Sequence, residues 1–214
     1  MASVYPAKSE DSFDSICRQL KSFPTPLLAP DKVCDPAFCD KIASLYLHPA
    51  LEALLHIFNH DLPSAHFLVR HMQSDPAYEG MYIHGILHRI EGDLDNARAW
   101  YCDVAASEPF EMIWSKATEE ERRAVQGHSK KVPPQKSARN FLDDVGKLIQ
   151  QPHQDATTLR TESRRELEDL LKWCIDRFGQ ERYVDATKVW VQPRQDISEK
   201  GQQMVTGSEG FRKF

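Results

Sequence analysis

The sequence predicts an all-α protein in which helical hairpins pack against a long C-terminal helix, and three observations carry that expectation. Apolar residues recur at helical spacing along most of the chain, and no stretch sustains the two-residue alternation of β-branched side chains that marks a half-buried strand. Residues 50–77 and 82–109 nearly repeat each other at a period of 32 residues. Late in the chain, Leu159, Leu167, Leu170, Leu171, Cys174, Ile175 and Phe178 form one apolar stripe with Gly179 as its stop.

Taken in order, Ser12 caps a short first helix that carries Phe13, Ile16, Cys17 and Leu20, and this helix must end before the proline-rich FPTPLLAP. That segment reads as a connector laid on the surface through Leu27 and Leu28. Asp35 and Pro36 form an N-cap and first-turn pair, because proline lacks the N–H that a first turn leaves unpaired anyway. The helix they start is expected to run to about Leu47.

Two hairpins follow, at about 49–109. In the repeat register Leu55 meets Leu87, His56 meets His88, Asp61-Leu62 meets Asp93-Leu94, and Ala65 meets Ala97. Ala53 and Gly85 are the small residues where the paired helices approach closely. Asp61 and Asp93 are natural caps of the second helices, since a carboxylate there accepts from free N–H groups of the first turn. Beyond Pro109 the pattern predicts a helix from Phe110 through Trp114 to about Val125, with Glu119-Glu120-Glu121-Arg122-Arg123 as a solvated face and GHSKKVPPQK as a loop. A helix over Ser137–Gln150 is built around Phe141, Leu142, Val145, Leu148 and Ile149, and one over Ala156–Phe178 is expected to lie across the hairpins. Residues 1–179 thus read as one helical domain, and 180–214 as a polar, partly disordered tail with Val189, Trp190 and Val191 as a sticky spot and about 15 disordered residues at its end.

Composition excludes several function classes. The formal charge of −5 leaves no general footprint for nucleic acid, which needs clustered cations to release counterions. Apolar runs such as Leu45–Leu47 fall far short of the roughly 18 to 20 residues of a membrane span, so neither nucleic acid nor membrane is expected as a partner. The start, MASVYPAKSEDSFDS, and the end, SEGFRKF, show no secretory or lipidation pattern, and a cytoplasmic protein is expected. Five scattered cysteines without a Cys-x-x-Cys pair read as reduced thiols. Glycine-rich phosphate loops, nucleophile elbows, dinucleotide fingerprints and the His-Glu-x-x-His helix are missing from the sequence.

Histidine is the chemical oddity, with seven of nine lying between His48 and His88. In YIHGILHRIEGD, His84, His88 and Glu91 stand at i, i+4 and i+7 on one helix face. Two imidazoles at this spacing can chelate zinc or iron, and a carboxylate completes a three-ligand face with open positions. His66 of the preceding hairpin is a candidate fourth ligand or base, His56 and His60 form a second such pair, and Arg89 and Asp93 are candidate orienting groups. The same histidines also suit packing between helices as neutral hydrogen-bonded rings. Asn96 and Arg98 stand where they face either a ligand or water, and Tyr82, Trp100 and Tyr101 are either core or the lining of a small pocket.

The second hairpin resembles a tetratricopeptide repeat in Gly85, the Gly92-Asp93 turn, Ala97, Tyr101 and Pro109, while its period of 32 departs from the usual 34 or so, and His84 and His88 replace apolar residues of that pattern. A more specific likeness covers about a quarter of the chain. The stretch from about Leu54 to Tyr101, with Ala65-His66 and then His84, His88, Arg89, Glu91, Asp93, Asn96 and Ala97, resembles a family of small helical proteins of bacteria and fungi with no assigned activity. Fungal relatives of this size occur among secondary-metabolite biosynthesis proteins, the fusaric acid pathway among them, which implies an accessory role in such a pathway. Two functions are therefore expected. One is an accessory or interaction protein that holds a partner enzyme or a small-molecule intermediate, with Tyr82, Arg89, Asn96, Arg98 and Tyr101 as its surface. The other is a metal-dependent enzyme with His84, His88, Glu91 and His66 around zinc or iron.

Overall fold

A computed structural model of the chain describes residues 12–115 and 133–191. These residues form nine α-helices and no strand: α1 (Phe13–Leu20), α2 (Ala37–Ser44), α3 (Pro49–Phe58), α4 (Leu62–Val69), α5 (Tyr78–Glu91), α6 (Leu94–Asp103), α7 (Glu108–Trp114), α8 (Pro134–Gln150) and α9 (Thr157–Phe178), followed by a 3-10 turn at Ala186–Val189. None of these helices is long and apolar enough to cross a membrane.

The two central hairpins, α3 with α4 and α5 with α6, repeat each other in backbone detail. Each turn passes through one left-handed residue, His60 (φ 63°) in the first and Gly92 (φ 84°) in the second. In each, the N–H after that residue returns to a carbonyl of the preceding helix, Asp61 to His56 and Asp93 to His88, both at 2.9 Å. In each, the aspartate then caps the next helix, accepting from Ser64 N–H at 3.3 Å or Asn96 N–H at 3.2 Å. Glycine takes the left-handed conformation without steric cost, whereas His60 is held there by its ring, whose Nε2 lies 2.7 Å from the Pro24 carbonyl. Gly85 is the close-approach point. A Cβ there would stand 2.9 Å from both Trp100 Cβ and Tyr101 Cδ1.

α9 crosses α3, α7 and α8 and buries Leu167, Leu170, Leu171 and Cys174. The same face carries Ser163 and Glu166, both fully buried, and these organise the centre of the molecule. Arg89 of α5 pairs with Glu166 at 3.1 Å and donates to Ser163 Oγ at 3.1 Å and to the Leu27 carbonyl at 3.4 Å. Tyr82 and Tyr101 donate to the other Glu166 oxygen at 2.9 and 2.5 Å, and Trp114 donates to the Tyr82 hydroxyl at 2.7 Å. Burial and the Glu166 charge push both tyrosine hydroxyls well up, so they stay protonated and donate. One carboxylate thereby joins α5, α6, α7, α9 and the proline-rich connector.

Several boundaries and placements differ from expectation. α2 stops at Ser44 rather than near Leu47, because the chain tightens through bonds from Leu45 to Ile42 and from Tyr46 to Ala43, and Tyr46 turns left-handed (φ 52°). That turn sends Leu47 into the core and lets His48 Nδ1 accept from Ala50 N–H at the start of α3. The connector is not a surface strap, since Leu27 is 1% exposed and the Pro26 carbonyl accepts from Ser163. α8 begins three residues earlier than expected, at Pro134. Residues 180–191 are docked: Tyr183 N–H donates to the Tyr46 carbonyl at 2.6 Å, Val191 N–H to the His71 carbonyl at 3.0 Å, and Trp190 stacks on His71. The acidic-basic run at 119–123, most of the expected loop at 127–136 and the expected disordered end lie outside the described residues.

Two predictions follow from this packing. Arg89→Met or Glu166→Leu alone should lower stability by about 3–5 kcal/mol, since each strands a buried charge. The double variant should cost less than the sum of the two, as read from urea unfolding followed by circular dichroism. Gly85→Ala should destabilise by about 1–3 kcal/mol, because helix backbone and ring must both give way; a thermal melt at neutral pH measures it.

Candidate functional site

α4 and α5 set three imidazoles side by side. His84 and His88, one turn apart on α5, stack with centroids 4.8 Å apart and planes inclined by 18°. His66 of α4 stands edge-on to both, at 5.3 and 5.6 Å. Its Nε2–H donates to Glu91 Oε1 at 2.9 Å, and the other Glu91 oxygen is 3.7 Å from His88 Nδ1. Asp93 Oδ2 faces the same His88 nitrogen at 3.8 Å. The Gln73 amide lies 3.0 Å from His84 Nδ1, and Trp100 covers a face of the His84 ring at 4.7 Å. The four residues that the sequence groups as metal ligands are therefore neighbours on one half-exposed face.

Loss of hydration, with His88 and His66 beside it, pushes the His84 imidazole down to about 3, so it is neutral at physiological pH. With the Gln73 amide donating, His84 Nδ1 accepts and its proton resides on Nε2. The donor atoms of this face do not converge, however. The lone pairs of two stacked, near-parallel rings lie in separate planes, and no three donors of this face lie within 4.8 Å of one another. As it stands, the face is a hydrogen-bonded imidazole–carboxylate surface.

The residues read as a ligand or partner surface divide sharply. Arg89 and Tyr82 are 0% exposed and bonded to Glu166, so they belong to the core, whereas Tyr101, 4% exposed and also bonded to Glu166, lines a cavity of about 260 Å³ together with Arg98. Their polar groups point inward because the buried carboxylate needs donors. Arg89 accordingly orients no histidine. Asn96 donates to its own cap, Asp93 Oδ2, at 2.5 Å. Arg98 stays at the surface, where it pairs with Asp95 at 3.1 Å and with Asp143 of α8 at 3.0 Å. His56 and His60 do not act as a pair, since His60 turns to Pro24 and His56 faces Asp61.

A second concavity lies at the opposite end of α5. A cavity of about 610 Å³ opens between the α5 N-terminus, the α6–α7 turn, the end of α9 and the docked 183–191 segment. Tyr78, Trp173, Phe178 and Tyr183 supply aromatic surface, and Glu79, Glu108, Arg177 and Lys188 supply charge of both signs. His48 forms part of the wall, stacked on Phe178 at 3.6 Å, and burial pushes it down to about 4. Sequence reasoning missed this site because its walls come from five separated segments. It also missed Glu166, for which a signal exists: the period of the α9 stripe places Ser163 and Glu166 on the apolar face. Comparison of the chain with protein-family profiles, with curated proteins and with solved structures finds no match.

Three histidines depressed by burial, His48, His56 and His84, give an acid limb to stability. The unfolded chain takes up protons near pH 6.5, while folded His84 and His48 do so only near 3 and 4, so their contribution is complete above about pH 6.5 and is lost as the pH falls. Glu52, pushed up by burial to about 7, and Glu79, pushed up likewise, act in the opposite sense, and the three histidines outweigh the two carboxyls. The urea midpoint should therefore fall between pH 6.5 and 4, and His84→Gln should make that fall shallower.

Proposed function

We propose that this chain is a binding protein that holds a small organic molecule against its helical hairpins, as an accessory to enzymes that make or use that molecule. One observation carries the reading: a ligand-sized cavity lined by four aromatic side chains and by charges of both signs. Aromatic walls take a ring or another flat apolar body, and the rim charges select polar substituents. The biosynthetic setting implied by the family resemblance agrees with this reading and adds no residue to it.

The experiment is a binding screen on the full chain with aromatic acids, aromatic amines and aromatic amino acids, read by tryptophan fluorescence and by melting temperature. A saturable quench that disappears in Trp173→Phe, with binding blocked by Ala106→Trp at the cavity wall, is expected for at least one class. Absence of any shift across all three classes would remove the proposal.

A metal-dependent enzyme remains the second reading, favoured by the approach of His66 to both rings at 5.3 and 5.6 Å. Elemental analysis of tag-free protein beside His84→Ala and His88→Ala separates the two. Under the binding reading the metal content of these variants equals that of the parent chain, whereas a metal lost in both, with helicity intact, would give the histidine face precedence.

A further inference from the structure

A second cluster of donor atoms lies away from both the cavity and the histidine face, where α2 meets the first hairpin. Cys39 of α2, His56 of α3 and Asp61 at the cap of α4 bring one sulfur, one nitrogen and one oxygen within 4.8 Å of one another, and no other such trio occurs among the described residues. His56 is 3% exposed, and its Nδ1 is one of only three buried side-chain polar atoms there without a hydrogen bond. It stands 3.0 Å from Asp61 Oδ2, but off the line of a hydrogen bond. A buried ring nitrogen 3.0 Å from a carboxylate oxygen, paired with it by charge but out of line for a hydrogen bond, leaves room for a cation between the two.

The surroundings suit that role. Asp61 uses Oδ1 to cap α4, which leaves Oδ2 to face His56. Asn59 fixes the approach of α2: it exchanges hydrogen bonds with the Asp35 backbone at 3.1 and 2.9 Å, its carbonyl accepts from Cys34 N–H, and its amide donates to Cys39 Sγ at 3.7 Å. That amide donor favours thiolate charge, while burial and the Asp61 carboxylate push the thiol up to about 11, so a metal here has to displace its proton. Glu52, one turn before His56, faces the other ring nitrogen at 3.9 Å, in the manner of carboxylates that orient metal-bound histidines.

We propose that Cys39, His56 and Asp61 form a three-ligand zinc site whose fourth position is open to water, clamping α2 onto the α3–α4 hairpin. Zinc accepts mixed sulfur, nitrogen and oxygen donors and imposes no geometry of its own beyond a preference for four ligands. At bond lengths of roughly 2.0–2.3 Å its donors stand about 3.5 Å apart, which small side-chain rotations supply here. The metal takes the place of the Cys39 thiol proton, which leaves to solvent. Cys39 is half-exposed, so both the metal and its water have access.

The test is titration of the reduced, tag-free full chain with cobalt(II), followed by zinc. One cobalt per chain is expected, with thiolate-to-cobalt charge-transfer absorption and the visible bands of a tetrahedral ion, both removed by zinc. Cys39→Ser should abolish the charge-transfer band and His56→Gln should weaken binding about tenfold or more, whereas Cys34→Ser and His84→Ala should leave both unchanged. In the unmodified chain, zinc should slow alkylation of Cys39 and not of exposed Cys102, a readout that needs no variant to fold. A spectrum without sulfur ligation, a band that survives Cys39→Ser, or equal protection of both cysteines would overturn the site. Loss of cobalt in His84→Ala alone would assign the metal to the histidine face instead.

Discussion

The buried pair of Arg89 and Glu166 determines how the last long helix can sit against everything before it. A charged group stripped of water is strongly unfavourable unless its partner and its remaining hydrogen bonds are all supplied. Glu166 finds Arg89, Tyr82 and Tyr101, and Arg89 finds Ser163 and the Leu27 carbonyl, with its Nε alone left without a hydrogen bond. Sliding α9 by one turn would leave a carboxylate facing leucines. The apolar stripe makes α9 adhere to the hairpins, and the polar pair fixes the register in which it does so.

Local features were legible in the sequence and long-range ones were not. Asp61 and Asp93 as caps depend on neighbours three residues away, Gly85 as the close contact depends on its hairpin partners Trp100 and Tyr101, and the two hairpins repeat each other within 32 residues; the structure bears all three out. The inward turn of Tyr82, Arg89 and Tyr101 depends on a carboxylate 65 to 84 residues further along. Nothing within their own helices distinguishes an arginine that faces water from one that faces a distant glutamate. The early end of α2 has the same origin, since a left-handed Tyr46 is tolerated for the sake of burying Leu47.

The candidate sites show a similar division. Helical spacing grouped His84, His88 and Glu91 on one face, and the packing of the two hairpins, which spacing does not describe, sets His66 beside them and fixes the ring orientations. Cys39, His56 and Asp61 belong to three different helices or caps, and only the packing of α2 on the first hairpin brings them together. Spaced along α5, the histidine face and the aromatic cavity share one rigid helix, so a strain introduced at either end is carried by the same Glu166-anchored rod.

The separation of 77 residues between Arg89 and Glu166 also has a temporal meaning. At roughly 5–20 residues per second, a ribosome needs about 4–15 s to make the helix that carries the carboxylate after it has made the arginine. Throughout that interval the hairpins exist without their countercharge, with a guanidinium and two phenols that water must solvate. The molecule is thus completed from its C-terminal side, and a nascent chain halted before α9 would present a wet, open groove where the finished protein has its driest interior.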